Sequence, residues 1–188
     1  MEVFFLSTGI VALAEMGDKT QLLALVLAAR FRAPWAIVFG IFVATLANHA
    51  LAGALGGWIT TWVGPQALRW VLGLSFLVMA VWMLIPDRLE EVDTTGSSRL
   101  GVFGATVLAF FLAEMGDKTQ VATVALAARY EPWAAVVAGT TAGMLLANAP
   151  VVWLGERLLR RIPIRAVHAV SALLFAALGA WALGAPVA

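Results

Sequence analysis

A nine-residue segment, LAEMGDKTQ, occurs twice in this chain of 188 residues, at 13–21 and at 112–120. Each copy carries a glutamate, an aspartate three residues later, and a lysine directly after the aspartate. This spacing would allow one helical face to hold all three side chains. Together the copies provide four carboxylates and two ammonium groups, which leaves an excess of two negative charges. That excess suits one divalent cation or two protons.

The rest of the sequence is strongly apolar. Hydrophobic residues make up 62% of the chain and charged residues 12%, a composition unlike that of soluble domains. The formal net charge of +1 predicts no nucleic-acid partner. A helix needs about 20 apolar residues to cross a hydrocarbon core about 30 Å thick. We therefore predict an all-α integral membrane protein with six transmembrane helices, at 3–29, 34–59, 67–86, 100–128, 133–154 and 165–184.

The motif copies belong to a longer duplication. The segment LAARFRAPWA at 27–36 matches LAARYEPWA at 126–134 with one residue deleted. A segment at 86–99, rich in small, acidic and turn-forming residues, interrupts the apolar sequence and is predicted to be a cytoplasmic linker between a repeat at 1–85 and a repeat at 100–188. Because each repeat contains three spans, an odd number, the second repeat would cross the membrane in the opposite direction to the first. The prediction is one membrane domain of two inverted three-helix repeats.

Both motifs lie near the middle of a predicted span, where charged side chains are unfavourable. Insertion scales assign about 2.5–3.5 kcal/mol to Asp or Lys at a helix centre, so six charges facing lipid would cost roughly 15–20 kcal/mol. We therefore expect them to face the protein interior. Glycine between the two carboxylates disfavours the helix by about 1 kcal/mol relative to alanine. We expect the motif helices to tilt or to break there, which would expose backbone carbonyls.

Inverted repeats would bring the two motifs together at the bilayer midplane. The four carboxylates of Glu15, Asp18, Glu114 and Asp117 would then share one site. Oxygen ligands favour Ca²⁺, Mn²⁺ or Mg²⁺ over softer ions. Crowded carboxylates in a dry site take up protons when no cation is bound, so exchange of a divalent cation for protons is the predicted mechanism.

Other polar residues extend this predicted site. Thr20, Gln21, Thr119 and Gln120 would either line the pathway or form hydrogen bonds between helices. Asn48 and Asn148, in the predicted second and fifth spans, could complete the site from each repeat. His49 has no counterpart, because Ala149 stands at the matching position. It is either a proton relay or a buried imidazole with hydrogen-bond partners.

Three alternatives to a shared cation site follow from the same residues. Each lysine could neutralise its own motif through an i,i+4 pair, so that the charges only hold helices together. The carboxylates could instead hold the ammonium group of a small organic cation, such as a basic amino acid, in an exporter. An intramembrane aspartyl protease would need glycine where Glu15 and Glu114 stand. We therefore predict a transporter rather than an enzyme, with no resident cofactor.

The arginines predict the orientation in the membrane. Eight of the ten lie on one side of the six predicted spans. Positively charged loops stay in the cytoplasm, so both termini are predicted to lie outside it.

The hexapeptide EMGDKT, at 15–20 and at 114–119, resembles the duplicated E-x-G-D-[KR]-[ST] motif of the Gdt-one-like family of membrane proteins. The resemblance covers essentially the whole chain. It implies transport of Ca²⁺ and Mn²⁺ in exchange for protons, and bacterial members look like manganese exporters. By motif position it also implies that Lys19 and Lys118 tune the cation ligands Glu15, Asp18, Glu114 and Asp117. Independently of the motif, we expect a bacterial inner-membrane location.

Overall fold

A computed structural model describes residues 1–85, 101–155 and 163–184, so the predicted linker at 86–99 lies outside the described residues. Within these ranges the regular secondary structure is entirely α-helical. The helices are α1 (Glu2–Glu15), α2 (Lys19–Phe31), α3 (Pro34–Trp62), α4 (Pro65–Trp82), α5 (Gly101–Glu114), α6 (Lys118–Arg129), α7 (Trp133–Leu154) and α8 (Ile164–Gly184).

Four of these helices, α3, α4, α7 and α8, are long and apolar enough to cross a membrane. Large apolar side chains are exposed along them, including Val78 at 64% and Leu173 at 70%. Exposed apolar surface of this extent is typical of contact with lipid. The other described helices form two consecutive pairs, α1 with α2 and α5 with α6, and each pair corresponds to one predicted motif span.

The predicted break of each motif helix at its glycine is confirmed. Gly17 has a φ of +84° and Gly116 a φ of +73°, in the left-handed region that glycine adopts without a steric penalty. After each glycine the aspartate is extended and becomes the N-cap of the next helix. The interruption leaves backbone N–H groups without helical partners. The Gly17 N–H donates to Gln21 Oε1 at 2.9 Å, and the Gly116 N–H donates to Gln120 Oε1 at 2.8 Å.

Helix α1 lies against α7 and runs in the same direction. Thr8 Oγ1 donates a hydrogen bond of 3.0 Å to the Gly139 carbonyl. A Cβ added at Gly139 would lie 2.5 Å from the Phe4 carbonyl oxygen, and one at Gly143 would lie 2.6 Å from that of Thr8. Any larger residue would therefore separate the helices, which is the usual role of small residues between membrane helices.

Helix α5 lies against α3 in the corresponding way. A Cβ added at Gly40 would lie 2.7 Å from the Cβ of Thr106. Further towards the C-terminal ends of both helices, Asn48 Nδ2 donates to the Phe111 carbonyl at 2.9 Å. The first helix of each half of the chain thus packs in parallel against a long helix of the other half.

The long helices α3 and α7 are antiparallel to each other. Near one end the rings of Trp35 and Trp153 are 5.4 Å apart, and towards the other a Cβ at Gly53 would meet Val137. Helices α4 and α8 form a second antiparallel pair, in which Phe76 and Phe175 stack at 6.2 Å and a Cβ at Gly73 would meet Leu183. Each pair joins one helix from each half of the chain, and buried apolar residues of both halves pack together in two hydrophobic clusters.

Candidate metal centre

The two helix breaks bring three carboxylates together. Glu15 ends α1, Glu114 ends α5, and Asp117 is the N-cap of α6. One carboxylate oxygen from each of the three lies within 4.8 Å of the others. All three residues are buried, Glu15 and Glu114 completely. We call this group of Glu15, Glu114 and Asp117 the carboxylate centre. It combines residues from both copies of the motif.

A threonine holds one oxygen of each glutamate. Thr20 Oγ1 donates to Glu15 Oε2 at 2.6 Å, and Thr119 Oγ1 donates to Glu114 Oε2 at 3.1 Å. The second oxygen, Oε1 of each glutamate, is buried and has no hydrogen-bond partner among the described residues. Leaving a buried carboxylate oxygen unsatisfied is unfavourable, and a bound cation or a proton would relieve this cost.

Both lysines pair with the aspartate of the other motif copy. Lys118 Nζ lies 2.9 Å from Asp18 Oδ1, and Lys19 Nζ lies 2.9 Å from Asp117 Oδ1. The alternative in which each lysine neutralises its own motif is therefore wrong. The breaks explain why, because no continuous helix connects Glu15 to Lys19. These ion pairs join the two halves of the chain.

Asp18, the remaining predicted ligand, is buried and lies in the ion pair with Lys118, outside the group of three. Asp117 takes part in both arrangements, because it belongs to the carboxylate centre and also pairs with Lys19. The four carboxylates thus differ in their surroundings although the two nonapeptides are identical. Their role as metal ligands remains a prediction.

The motif glutamines form hydrogen bonds between helices. Gln21 Nε2 donates to the Ala147 carbonyl of α7 at 2.8 Å, and Gln120 Nε2 donates to Asn48 Oδ1 of α3 at 3.2 Å. Asn48 is therefore linked to the second motif. Asn148 instead donates to the Met144 carbonyl within its own helix at 3.1 Å, and its Oδ1 has no partner among the described residues.

His49 is completely buried, and neither of its ring nitrogens has a hydrogen-bond partner in the described part of the chain. The expectation of a buried imidazole with protein partners therefore has no support there. Thr45, one helical turn earlier, and Thr141 of α7 also have buried hydroxyls without partners among these residues. Sequence reasoning missed both threonines. The spacing of four between Thr45 and His49 was the available signal, since it places them on one face of α3.

The surroundings of the two breaks are unequal. Beside Gly17, a Cβ would lie 2.6 Å from Ile164 Cγ2 at the start of α8. Beside Gly116, a Cβ would meet nothing within 4 Å among the described residues, and the neighbouring Met115 is 57% exposed. The first break is therefore covered by α8, whereas the second lies at the surface.

Apolar helices with buried carboxylates at two interruptions define a class of protein: membrane ion transporters keep ionisable groups at such positions. The chain matches the profile of the family described as "Divalent cation/proton antiporter GDT1" over residues 3–91 and 102–187. It therefore belongs to the GDT1 family, and the family predicted from the hexapeptide is confirmed.

Individual relatives agree with this assignment. A protein of Vibrio cholerae named "Putative manganese exporter" is 51% identical over 176 residues, which cover 93% of this chain and 87% of that protein. A GDT1-like protein of Synechocystis is 31% identical, with 88% and 89% covered. The "Divalent cation/proton antiporter GDT1" of Saccharomyces cerevisiae is 24% identical, with 93% and 81% covered. No solved structure matches the chain.

Proposed function

We propose that this protein exchanges a divalent cation, Mn²⁺ or Ca²⁺, for protons at the carboxylate centre. The observation that carries the proposal is the pair of buried oxygens Glu15 Oε1 and Glu114 Oε1, which lack hydrogen-bond partners among the described residues. Both glutamates form the carboxylate centre with Asp117. Three carboxylate oxygens within 4.8 Å of one another suit a hard divalent ion.

The charges of the site support exchange with protons. Glu15, Asp18, Glu114 and Asp117 carry four negative charges, and Lys19 and Lys118 compensate two of them. The remaining two charges are neutralised by one divalent cation or by two protons. Because both use the same oxygens, binding of one excludes the other, which is the requirement for coupled exchange.

The packing directions support six membrane crossings in two inverted repeats. In that arrangement the crossings formed by α1–α2 and by α7 point the same way, as do those formed by α5–α6 and by α3. The observed directions of these contacts agree. The antiparallel contacts of α3 with α7 and of α4 with α8 also agree. The two interrupted helices would then place the carboxylate centre near the bilayer midplane, where alternating access requires a binding site.

The proposed location is the inner membrane of a bacterium, with both termini outside the cytoplasm. Support for the orientation comes from the distribution of arginines under the positive-inside rule. For the ion, the name of the Vibrio cholerae relative favours Mn²⁺. The oxygen ligands of the carboxylate centre suit Ca²⁺ as well.

Flux into proteoliposomes tests the proposal. Vesicles containing the purified protein and an acidic lumen should accumulate ⁵⁴Mn or ⁴⁵Ca from a more alkaline medium, and collapse of the pH gradient should stop the accumulation. Empty vesicles provide the baseline. Counterflow of radiolabelled lysine without any divalent-cation flux would overturn the proposal and support the organic-cation exporter instead.

A further inference from the structure

The two lysines of this chain occupy equivalent positions in the motif but have different surroundings. The side chains of Lys118 and of its partner Asp18 are both 0% exposed. The Lys19 side chain is 25% exposed, while its partner Asp117 is 2% exposed. The Lys19 side chain is therefore partly exposed at the surface, whereas the Lys118 side chain is fully buried.

The partners of the two lysines also differ. Asp117 belongs to the carboxylate centre, so its carboxylate is shared between Lys19 and any cation bound there. Asp18 is not one of the three residues of the carboxylate centre, so its pair with Lys118 uses no carboxylate of that centre. A divalent ion at the centre would place two further positive charges close to the Lys19 ammonium, and repulsion between them is strong in a buried site.

We propose that Lys19 is an internal counter-ion that divalent cations displace. In the cation-free protein its ammonium group neutralises Asp117, and cation binding moves it toward the surface. Lys118 stays with Asp18 as a fixed link between the two halves of the chain. The inference rests on the proposed function, because it requires a divalent cation at the carboxylate centre.

Amine labelling tests the displacement directly in the unmodified protein. The chain has three amino groups, at the N-terminus, Lys19 and Lys118. Protein in lipid nanodiscs is pulsed with N-hydroxysuccinimidyl acetate, with and without saturating Mn²⁺ at constant ionic strength, and acetylation at each amine is measured by mass spectrometry. Mn²⁺ should raise the rate at Lys19 several-fold and leave Lys118 unreactive. The N-terminal amine serves as the internal reference.

If the site simply closed around the cation, Lys19 would become protected and its labelling rate would fall. A Lys19 rate that falls or stays constant on Mn²⁺ addition overturns the displacement. Loss of the free Mn²⁺ signal in electron paramagnetic resonance reports binding in the same samples. If Mn²⁺ binds and Lys19 labelling does not rise, the inference fails and the proposed function stands. If Mn²⁺ does not bind, the labelling is repeated with Ca²⁺ and binding is followed with ⁴⁵Ca, and binding of neither ion overturns both.

Variants of Asp117 and of Lys19 test whether the cation displaces Lys19 or only binds near it. Asp117→Asn removes the carboxylate that holds the Lys19 ammonium group. Lys19 should therefore already be reactive without Mn²⁺, and added Mn²⁺ should not change its labelling rate. In Lys19→Gln the internal competitor is absent, and the apparent KM for Mn²⁺ should fall about threefold to tenfold, as for the loss of a partly exposed ion pair. Lys19→Arg keeps the charge and should restore the wild-type KM. A Lys19→Gln variant whose KM is unchanged or higher contradicts the proposal.

Discussion

Lys118 from the second copy of the motif lies 2.9 Å from Asp18 of the first copy, and both side chains are fully buried. This contact links the two halves of the chain beside the carboxylate centre. Replacing both members of a buried ion pair by neutral groups changes the stability of a protein little. Replacing only one member leaves an uncompensated buried charge and destabilises it. The pair therefore has consequences for stability that can be separated from transport.

Removal of one member of this pair should destabilise the protein strongly. Lys118→Gln is expected to reduce the free energy of unfolding by about 3–5 kcal/mol, because Asp18 is left buried without its counter-charge. The double variant Asp18→Asn with Lys118→Gln should recover much of the loss. Thermal unfolding in detergent measures both effects. A double variant as unstable as Lys118→Gln alone would mean that the charge balance is not the cause.

Each glutamate of the carboxylate centre should be required for cation flux. Glu15→Gln and Glu114→Gln keep the side-chain size but remove the charge, so each should reduce ⁵⁴Mn uptake to the level of empty vesicles. Glu2→Gln is the control, since Glu2 is exposed at the start of α1. Wild-type uptake by either centre variant would show that the carboxylates do not act together.

Cation binding should weaken as the pH falls. The cation and the protons occupy the same carboxylate oxygens, so protonation removes ligands and acidification should raise the apparent Kd for Mn²⁺. Titration of Mn²⁺ binding in nanodiscs at a series of pH values measures this. Asp117→Asn, which removes one of the competing carboxylates, should show a shallower pH dependence. An apparent Kd that is independent of pH would contradict coupled exchange.

Access to the two breaks should be unequal in the cation-free protein. The chain contains no cysteine, so single cysteines can be introduced without other changes. Met115→Cys lies at the exposed break and should react quickly with a maleimide in the detergent-solubilised protein. Met16→Cys is partly buried beside Gly17, where α8 covers the break, and should react slowly. Equal rates for the two cysteines would show that the asymmetry is absent in the solubilised protein.

Much of this fold follows from physical properties that a sequence carries locally. Long apolar segments predict the helices, and Gly17 and Gly116 predict the breaks, because only glycine adopts their backbone conformation without strain. The cost of charges in lipid predicts that the motifs face inward. The matching halves also indicated which residues approach each other, and Glu15, Glu114 and Asp117 are brought together.

The lysine pairings could not be predicted in the same way. Spacing along a continuous helix pairs Lys19 with Glu15, but the break removes that helix and turns Lys19 toward Asp117. The difference between the two copies was also out of reach, because identical nonapeptides carry no information about their neighbours. The cover over Gly17 comes from Ile164, more than a hundred residues later. Only the tertiary structure distinguishes the two copies of the motif.

The position of the bound metal is the most direct test of a cation site shared by the two motif copies. Crystals soaked with Mn²⁺ and measured at the manganese absorption edge should show one anomalous peak coordinated by carboxylate oxygens of Glu15, Glu114 and Asp117, which come from both copies of the motif. Two separate peaks, each bound by a single copy, or a single peak away from these three residues, would contradict it.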